Sequence, residues 1–335
     1  MIPINTKLLG LAAVVAVLPC ADADPPLASQ PEIARFVDHM VADYGFDKAK
    51  LNQVINQVQI RQSIIDAITR PAEAKPWYQY RPIFLTQSRI RRGVKFMDDN
   101  RATLERAEKQ YGVPPEIVTA ILGVETFYGD RSGGNRVMDA LVTLAFDYPA
   151  RADFFRTELE NYLLLSREEG LDPLSAMGSY AGAMGQPQFM PSSYRSYAVD
   201  FDGDGKRDLW SDTADAIGSV ANYFERHGWE RGGPVAVHAQ VHGDAYQTAL
   251  DQGLKPAIDA VQLKHYGIDA EGRVAPDTKA ALIQLETRDG YDYWLGLQNF
   301  YVITRYNHSP LYAMAVYQLS QEIKAAASRR LTATK

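Results

Sequence analysis

The stretch VPPEIVTAILGVE, residues 113–125, constrains the fold more tightly than any other part of the chain. Pro114 and Pro115 suit the first turn of a helix, where a missing N–H is no loss. Counting on from them, Ile117, Ile121 and Val124 form one apolar stripe, with Val118 and Leu122 beside it. Glu125 falls four residues after Ile121 and seven after Val118, and so points along the apolar face. Desolvation there raises a carboxylate's pKa and favours the protonated form that a general acid needs. A helix-end glutamate more commonly bends out to solvent or pairs with an arginine, and periodicity alone does not choose between these fates.

Helical spacing recurs on both sides of this run. Ile33, Phe36, Val37, Met40 and Val41 predict a helix from Pro31 to Tyr44 that stops at Gly45. Asp47 is placed to cap a second helix carrying Leu51, Val54, Ile55 and Val58. Pro71, Pro76 and Pro82 break the pattern around Trp77-Tyr78-Gln79-Tyr80, predicting a long ordered connection towards a helix near Thr103 to Tyr111. From Gly112 to Gly228 helical patterns dominate, with turn-rich loops at 129–134, 182–191 and 200–211. Beyond Pro234 the alternation of Val235, Val237, Ala239 and Val241 reads as a strand, and Phe300-Tyr301-Val302-Ile303 as another. Leu311, Met314, Ala315, Leu319 and Ile323 return to helical spacing, with a frayed tail after Ser328.

A chain of 335 residues, 46% of them hydrophobic, can bury a sizeable core in two or three subdomains. The expected fold class is mainly α (α+β). The expected segments are an export signal at 1–23, an N-terminal helical domain at 24–100, a central block at 101–232 holding the acidic loop, a small β-containing domain at 233–303, and a C-terminal helix returning to the core at 304–328.

Export is read from the start of the chain. Met1 and Lys7 supply positive charge, Leu8 to Leu18 an apolar segment, and Ala21-Asp22-Ala23 a cleavage pattern with the cut after Ala23. The apolar segment is shorter than the roughly 20 residues that span a bilayer. Cys20 is the sole cysteine, which excludes an internal disulfide and thiolate zinc sites. It also offers a lipoprotein start, although Pro19 stands where a lipidation signal needs a small residue. A net charge of −6, with no Lys/Arg block, carries no footprint for nucleic acid and suits a neutral polymer better.

Ordinary glycosidases use two carboxylates, yet the acids after Glu125, namely Asp130 and Asp139, have no clear partner role, so a one-carboxylate mechanism would need help from the substrate. Asp200-Phe201-Asp202-Gly203-Asp204-Gly205 matches the opening of a calcium loop, with alternating acids and a sixth-position glycine. Position eight is Arg207 and position twelve Ser211, so closure would need a longer loop ending at Asp212 or Asp215. Tyr291, Tyr293, Trp294, Phe300, Tyr301, Tyr306 and Tyr312, beside Arg305 and Asn307, are dense enough for some to line a polymer groove, most being core. The Gly182–Pro191 loop offers backbone and Gln amides to sugar hydroxyls, or serves as a plain structural loop.

GVETFYG at 123–129, GSYAGAMGQPQFMPSSY at 178–194, YAVDFDGDG at 197–205, AIGSVANYF at 216–224 and NFYVITRYNHS at 299–309 occur in this order. With them the chain resembles the lytic murein transglycosylase B family over roughly Pro31 to Ile323. The resemblance implies a lysozyme-like catalytic core crossed by a glycan groove. It implies that Glu125 protonates the oxygen joining N-acetylmuramic acid to N-acetylglucosamine and later acts as a base. The sugar's own acetamide would stabilise the cationic centre, and its C6 hydroxyl would attack to leave a 1,6-anhydro end, which accounts for the missing second carboxylate. Position by position, Ser179 and Gln188 would hold the acetamide and nearby groups. Tyr223, Tyr306, Asn307 and Tyr312 would surround the reacting sugar, with Phe189 and Met190 lining the same groove. Arg151 matches one of two adjacent arginines used on the glycan or its peptide stem, and Ala150 takes the other's place.

For the metal, the resemblance implies calcium in a structural role, held by Asp200, Asp202, Asp204 and the Lys206 carbonyl and closed by Asp215, with one extra residue before that acid. It implies a monomer acting on peptidoglycan glycan strands, with cell-wall synthesis enzymes as partners. The location is the periplasm, or the outer membrane if Cys20 is lipidated. A hydrolytic muramidase using the same glutamate, or a non-catalytic cell-wall glycan-binding protein, remains open at this point.

Overall fold

The apolar spacing of the first helix ends where expected. α1 (Pro31–Tyr44) buries Ile33, Phe36, Val37 and Met40, and Gly45 takes the chain out of it with a left-handed φ of 67°. Asp47 caps α2 (Lys48–Ile55) by accepting the Lys50 N–H at 2.9 Å, and Leu51 and Ile55 are buried. The structure, a computed structural model, describes residues 25–70, 75–272 and 274–333. The expected export signal at 1–23, with Cys20, lies outside the described residues. The chain forms two compact units, residues up to 56 and residues from 57 onward.

The connection expected in this region is helical instead on both sides of residues 71–74, which with Pro71 lie outside the described residues. It holds α3 (Gln62–Ile68), α4 (Trp77–Phe84) and α5 (Gln87–Asp99), followed by α6 (Arg101–Tyr111). Pro76 precedes the first residue of α4, where it costs no hydrogen bond, and Pro82 is carried inside that short helix. α5 reads as polar, but Ile90 and Val94 form a buried stripe and Thr86 caps it through the Arg89 N–H. Residues 57–100, expected with the N-terminal domain, therefore fold with the second unit, where α5 packs on later helices.

α7 (Pro115–Thr126) is buried at every position from Glu116 to Val124. A helix buried on nearly every side must be enclosed, and α5, α6, α11 (Thr213–Arg226) and α14 (Pro310–Ala333) pack on it. Gly123 leaves room for the Tyr128 ring, which folds back on the helix from the turn after it: a Cβ there would sit 2.7 Å from that ring. Next come β1 (Asn135–Arg136), α8 (Val137–Asp147), α9 (Ala152–Glu168), β2 (Met177–Gly178) and α10 (Pro191–Tyr197), with β1 and β2 paired antiparallel.

The alternating valines lead into β3 (Ala236–Val241), which joins a five-stranded antiparallel sheet with α12 (Tyr246–Leu250), β4 (Ile258–Asp259), β5 (Ile268–Ala270), β6 (Lys279–Glu286) and β7 (Tyr291–Gly296). The strand order is β4-β6-β7-β3-β5. Ile258, Leu263, Ile268, Leu282 and Leu295 make its core. Phe300–Ile303, read as a strand, lies in α13 (Gln298–Tyr306), which buries Phe300, Val302, Ile303 and Thr304. A short apolar run does not reveal its period, and tertiary packing makes this one helical. α14 follows and continues to Ala333, past the point where fraying was expected.

Asp139 in α8 is fully buried and ties the start of the second unit to its centre. It accepts from Gln59 N–H at 3.1 Å, Arg61 Nε at 3.1 Å and Arg136 Nη2 at 2.8 Å. Removing one partner of such a buried pair leaves the others uncompensated. Asp139→Ala is expected to lower unfolding free energy by about 3 kcal/mol, read as a lower urea midpoint. A midpoint unchanged from wild type would show that the cluster contributes nothing.

Candidate active site

Glu125 sits half-buried in the last turn of α7. The helix then stops abruptly, because Phe127 and Tyr128 both take left-handed φ values, 54° and 63°, unusual for aromatic residues. Thr126 holds the turn: its hydroxyl donates to Gln186 O at 2.8 Å and accepts the Gly129 N–H at 3.0 Å. Arg89 grips the helix from the other side, donating Nε–H to Gly123 O at 2.9 Å. The acid is thus presented at a rigid corner.

Opposite it stands the 178–190 loop. Met184 and Phe189 exchange backbone hydrogen bonds at 2.8 and 3.0 Å, Gln186 N–H donates to Leu209 O at 2.7 Å, and Gln188 takes a left-handed φ of 53°. Gln188 Nε2 donates to Ser132 O at 3.0 Å and Gly185 O at 2.9 Å, so its nitrogen holds the loop. The Ser179 hydroxyl accepts from Ala181 and Ala183 N–H.

Tyrosines from α11, α13 and α14 join the two sides. The Tyr312 hydroxyl donates to Glu125 Oε1. The Tyr306 hydroxyl donates to Pro187 O, and that of Tyr223 to Arg305 O at 2.6 Å. The rings of Tyr223 and Tyr306 lie 4.9 Å apart, with Phe189 5.7 and 5.8 Å from them. Burial pushes the phenols of Tyr306 and Tyr312 far above their ordinary pKa, and the charge of Glu125 adds to the effect. Both therefore act as neutral hydrogen-bonding groups. Asn307 accepts the Ser309 N–H just before α14, and the Ser309 hydroxyl accepts the Tyr312 N–H.

Several expectations change in detail. Phe189 was expected to line the groove but is buried beneath Tyr223 and Tyr306, which it supports. Met190 is half-buried at the start of α10. Arg151 stacks over Phe154 at 4.2 Å and touches none of the Glu125 cluster. Tyr293 packs on the core of the sheet. Of the acids weighed as second carboxylates, Asp130 pairs with Arg92 and Asp139 is locked by Arg61 and Arg136. Arg89 and Glu158 lie in no motif, and Thr126, although inside GVETFYG, was given no role by it. Glu158 is buried and accepts the Ser192 N–H and hydroxyl, at 2.9 and 2.7 Å, fixing the end of the 178–190 loop. A cleft of about 640 Å3 lies at the opposite end of α7, around Leu104, Pro115, Glu116 and Lys324, remote from this chemistry.

Asp200, Asp202 and Asp204 converge, one oxygen of each lying within 4.8 Å of the others. Asp200 accepts from Gly203 and Gly205 N–H at 2.7 and 2.8 Å, the first of these residues lying in a tight turn of the loop. At Asp202 the Asp204 N–H draws the pKa down, but lost hydration and the charges of Asp204, Asp212 and Asp200 outweigh it and leave the pKa raised. Asp215, expected as the closing ligand, is not in this group: its oxygens accept the Phe201 and Asp208 N–H at 2.6 and 2.7 Å, clasping both flanks of the loop. Asp212 instead caps α11 through Ala214 and Asp215 N–H. The loop is anchored on α6, where the Arg106 guanidinium lies 3.9 Å from the Phe201 ring.

Residues 28–321 match the family model described as the transglycosylase SLT domain. The chain is 46% identical over 309 residues to membrane-bound lytic murein transglycosylase B of Escherichia coli K12, covering 89% of this chain and 84% of that protein. Among solved structures, soluble lytic transglycosylase SltB1 from Pseudomonas aeruginosa superposes with a TM-score of 0.84 at 53% identity, covering 89% of this chain and all of that one. Escherichia coli lytic transglycosylase Slt35, solved in complex with calcium, gives 0.83 at 45%, covering 90% and 95%. SltB3 from Pseudomonas aeruginosa, solved with NAG-anhNAM-pentapeptide, gives 0.77 at 30%, covering 87% and 78%.

The buried phenols make a pH prediction. Above a tyrosine's ordinary pKa of about 10, the unfolded chain sheds protons that the folded chain keeps at Tyr223, Tyr306 and Tyr312. Stability is complete below that pH and falls as pH rises, by up to about 1.4 kcal/mol per pH unit for each phenol. Urea midpoints compared at pH 8 and 10.5 should show the fall, and Tyr312→Phe should make it shallower. Equal slopes for both proteins would place the Tyr312 proton outside the linkage.

Proposed function

The chain belongs to the transglycosylase SLT domain family, and on that premise we propose that Glu125 is the single carboxylate that cuts the glycan. The enzyme is a lytic murein transglycosylase, a lyase that cleaves peptidoglycan without water, on a mainly helical, lysozyme-like fold with a small sheet. Glu125 gives its proton to the oxygen linking N-acetylmuramic acid to N-acetylglucosamine as the bond to C1 breaks. The muramic acetamide supports the cationic C1. The C6 hydroxyl then closes on C1, returning its proton to Glu125, and a 1,6-anhydro end is left.

One observation carries this reading: Glu125 meets a buried, neutral Tyr312 hydroxyl at the groove, while Asp130 and Asp139 are held by arginines. With Asp130 and Asp139 committed to arginines, the substrate's own groups complete the reaction. Tyr312 fixes the carboxyl's orientation without competing for its proton. Gln188 and Ser179 receive the acetamide and its neighbours. Tyr306, Tyr223 and Asn307 shape the sugar's surroundings, with Met190 at their edge, Phe189 behind them and Arg151 further along the glycan.

Calcium suits the acidic loop, where three converging carboxylates need a compensating charge. Asp200, Asp202, Asp204 and the Lys206 carbonyl would hold it, and Asp215 would close the site by turning from its backbone donors. Its role is structural, because the loop carries Leu209, whose carbonyl anchors Gln186 beside Thr126. The mature enzyme is read as a periplasmic monomer exported by residues 1–23, with an outer-membrane lipoprotein through Cys20 as the other form and cell-wall synthesis enzymes as partners. No described helix is long and apolar enough to cross a membrane.

Glu125→Gln is expected to slow clearance of purified sacculi at least 1,000-fold, an order of magnitude set by loss of acid–base catalysis, with the fold retained by circular dichroism. Mass spectrometry of wild-type products should find ends one water lighter than hydrolysis yields. Clearance at the wild-type rate by Glu125→Gln would remove the assignment of the acid. For the metal, calcium at a hundredfold excess over its Kd should stabilise the protein by about 2.7 kcal/mol, seen as a raised Tm that Asp204→Ala abolishes. Identical melting curves in calcium and in chelator would reject the site.

A further inference from the structure

Three guanidinium groups surround one ring at the edge of the groove. Phe127, two residues past Glu125, has the guanidinium carbons of Arg89, Arg92 and Arg131 at 5.1, 5.0 and 5.0 Å from its centroid. A ring face attracts cations but does not neutralise them. Arg89 is buried and committed to Gly123, Ile83 and Phe84 carbonyls. Arg92 pairs with Asp130. Arg131 is exposed and has no carboxylate partner among the described residues. Among the described residues the ion pair that these three groups make is Arg92 with Asp130, and they are close enough that Arg131 adds to the lowering of the Arg89 pKa, which burial dominates.

The backbone fixes this cluster beside the site. Arg131 N–H donates to Thr126 O at 2.9 Å, and the next carbonyl, Ser132 O, accepts from Gln188 Nε2 at 3.0 Å. Arg131 thus stands between the end of the Glu125 helix and the loop read as the acetamide holder. The N-acetyl sugars of the strand bring no charge to this rim, whereas the peptide stems on muramic acid carry carboxylates. A guanidinium presents paired N–H donors that match a carboxylate in two-point fashion. Arg151, the position expected to serve the stem, is stacked on Phe154.

We propose that Arg131, backed by Arg92 and the Phe127 ring, binds a carboxylate of the stem peptide next to the bond being cut, and so selects stem-bearing glycan. The assignment rests on the peptidoglycan reading above and adds a substrate feature to it.

The test compares uncrosslinked glycan chains with native stems against the same chains whose stem carboxylates have been amidated with carbodiimide and ammonia. Wild type should show kcat/KM about fivefold higher on the native chains, the size expected of a partly exposed ion pair. Arg131→Gln should bring that ratio to about one, while Arg131→Lys, which keeps the charge, should retain part of it. Because each variant is scored by its own ratio, general damage to the enzyme cancels. A ratio near one for wild type, or an undiminished ratio in Arg131→Gln, overturns the proposal. Wild type that cuts neither substrate would instead count against the peptidoglycan reading itself.

Discussion

The contact between α7 and α14 is the constraint on which the rest of the site depends. α7 is buried along nearly its whole length, and α14, which packs on it, carries Ala313, Met314, Ala315, Val316, Leu319 and Ile323 fully buried among α7 and its neighbours. Small side chains on α14 let the helices approach closely, and dense packing fixes their register. A shift of one residue along α14 would turn Tyr312 away from Glu125. The hydrogen bond that defines the site is therefore a by-product of core packing, and the free energy that holds it comes from hydrophobic burial rather than from the polar pair.

Around that contact, the groove is built from corners rather than from regular elements. The left-handed turn at Phe127 and Tyr128, the left-handed Gln188 and the exchange between Met184 and Phe189 are each held by buried donors and acceptors. Such conformations persist only where neighbours over-determine them. Thr126 serves both sides, since one hydroxyl ends the Glu125 helix and also binds the Gln186 carbonyl. Leu209 extends the chain of contacts to the acidic loop, so that loop and the 178–190 loop are mechanically one piece.

Much of this was legible in the residues, and what was not has physical reasons. α1, the Asp47 cap and α7 announce themselves because their apolar spacing and their stop signals agree. α5 does not: Arg89, Arg91, Arg92 and Lys95 mask the Ile90–Val94 stripe, and only the tertiary partner gives that stripe meaning. Phe300–Ile303 was misread because β-branched and aromatic residues in a short run fit a strand as well as a buried helix. Glu125 was visible from periodicity, but the role proposed for it came from motif resemblance. Arg89 and Thr126, which hold the end of its helix, and Glu158, which holds the facing loop, act largely through backbone carbonyls and N–H groups, which leave no pattern in a single sequence. Asp215 was legible as an acid near the loop, and its grip on two backbone N–H groups was not.

Synthesis runs from the N-terminus, and this gives the placement of Tyr312 a consequence in time. Glu125 is made early, but the tyrosines that enclose it at 306 and 312 lie within the last tenth of the chain. Until α13 and α14 have emerged and docked, the glutamate sits on an uncovered helix with no Tyr312 hydroxyl to orient it. A chain that stops short of α14 therefore leaves α7 bare where that helix packs, and Glu125 without its Tyr312 hydrogen bond.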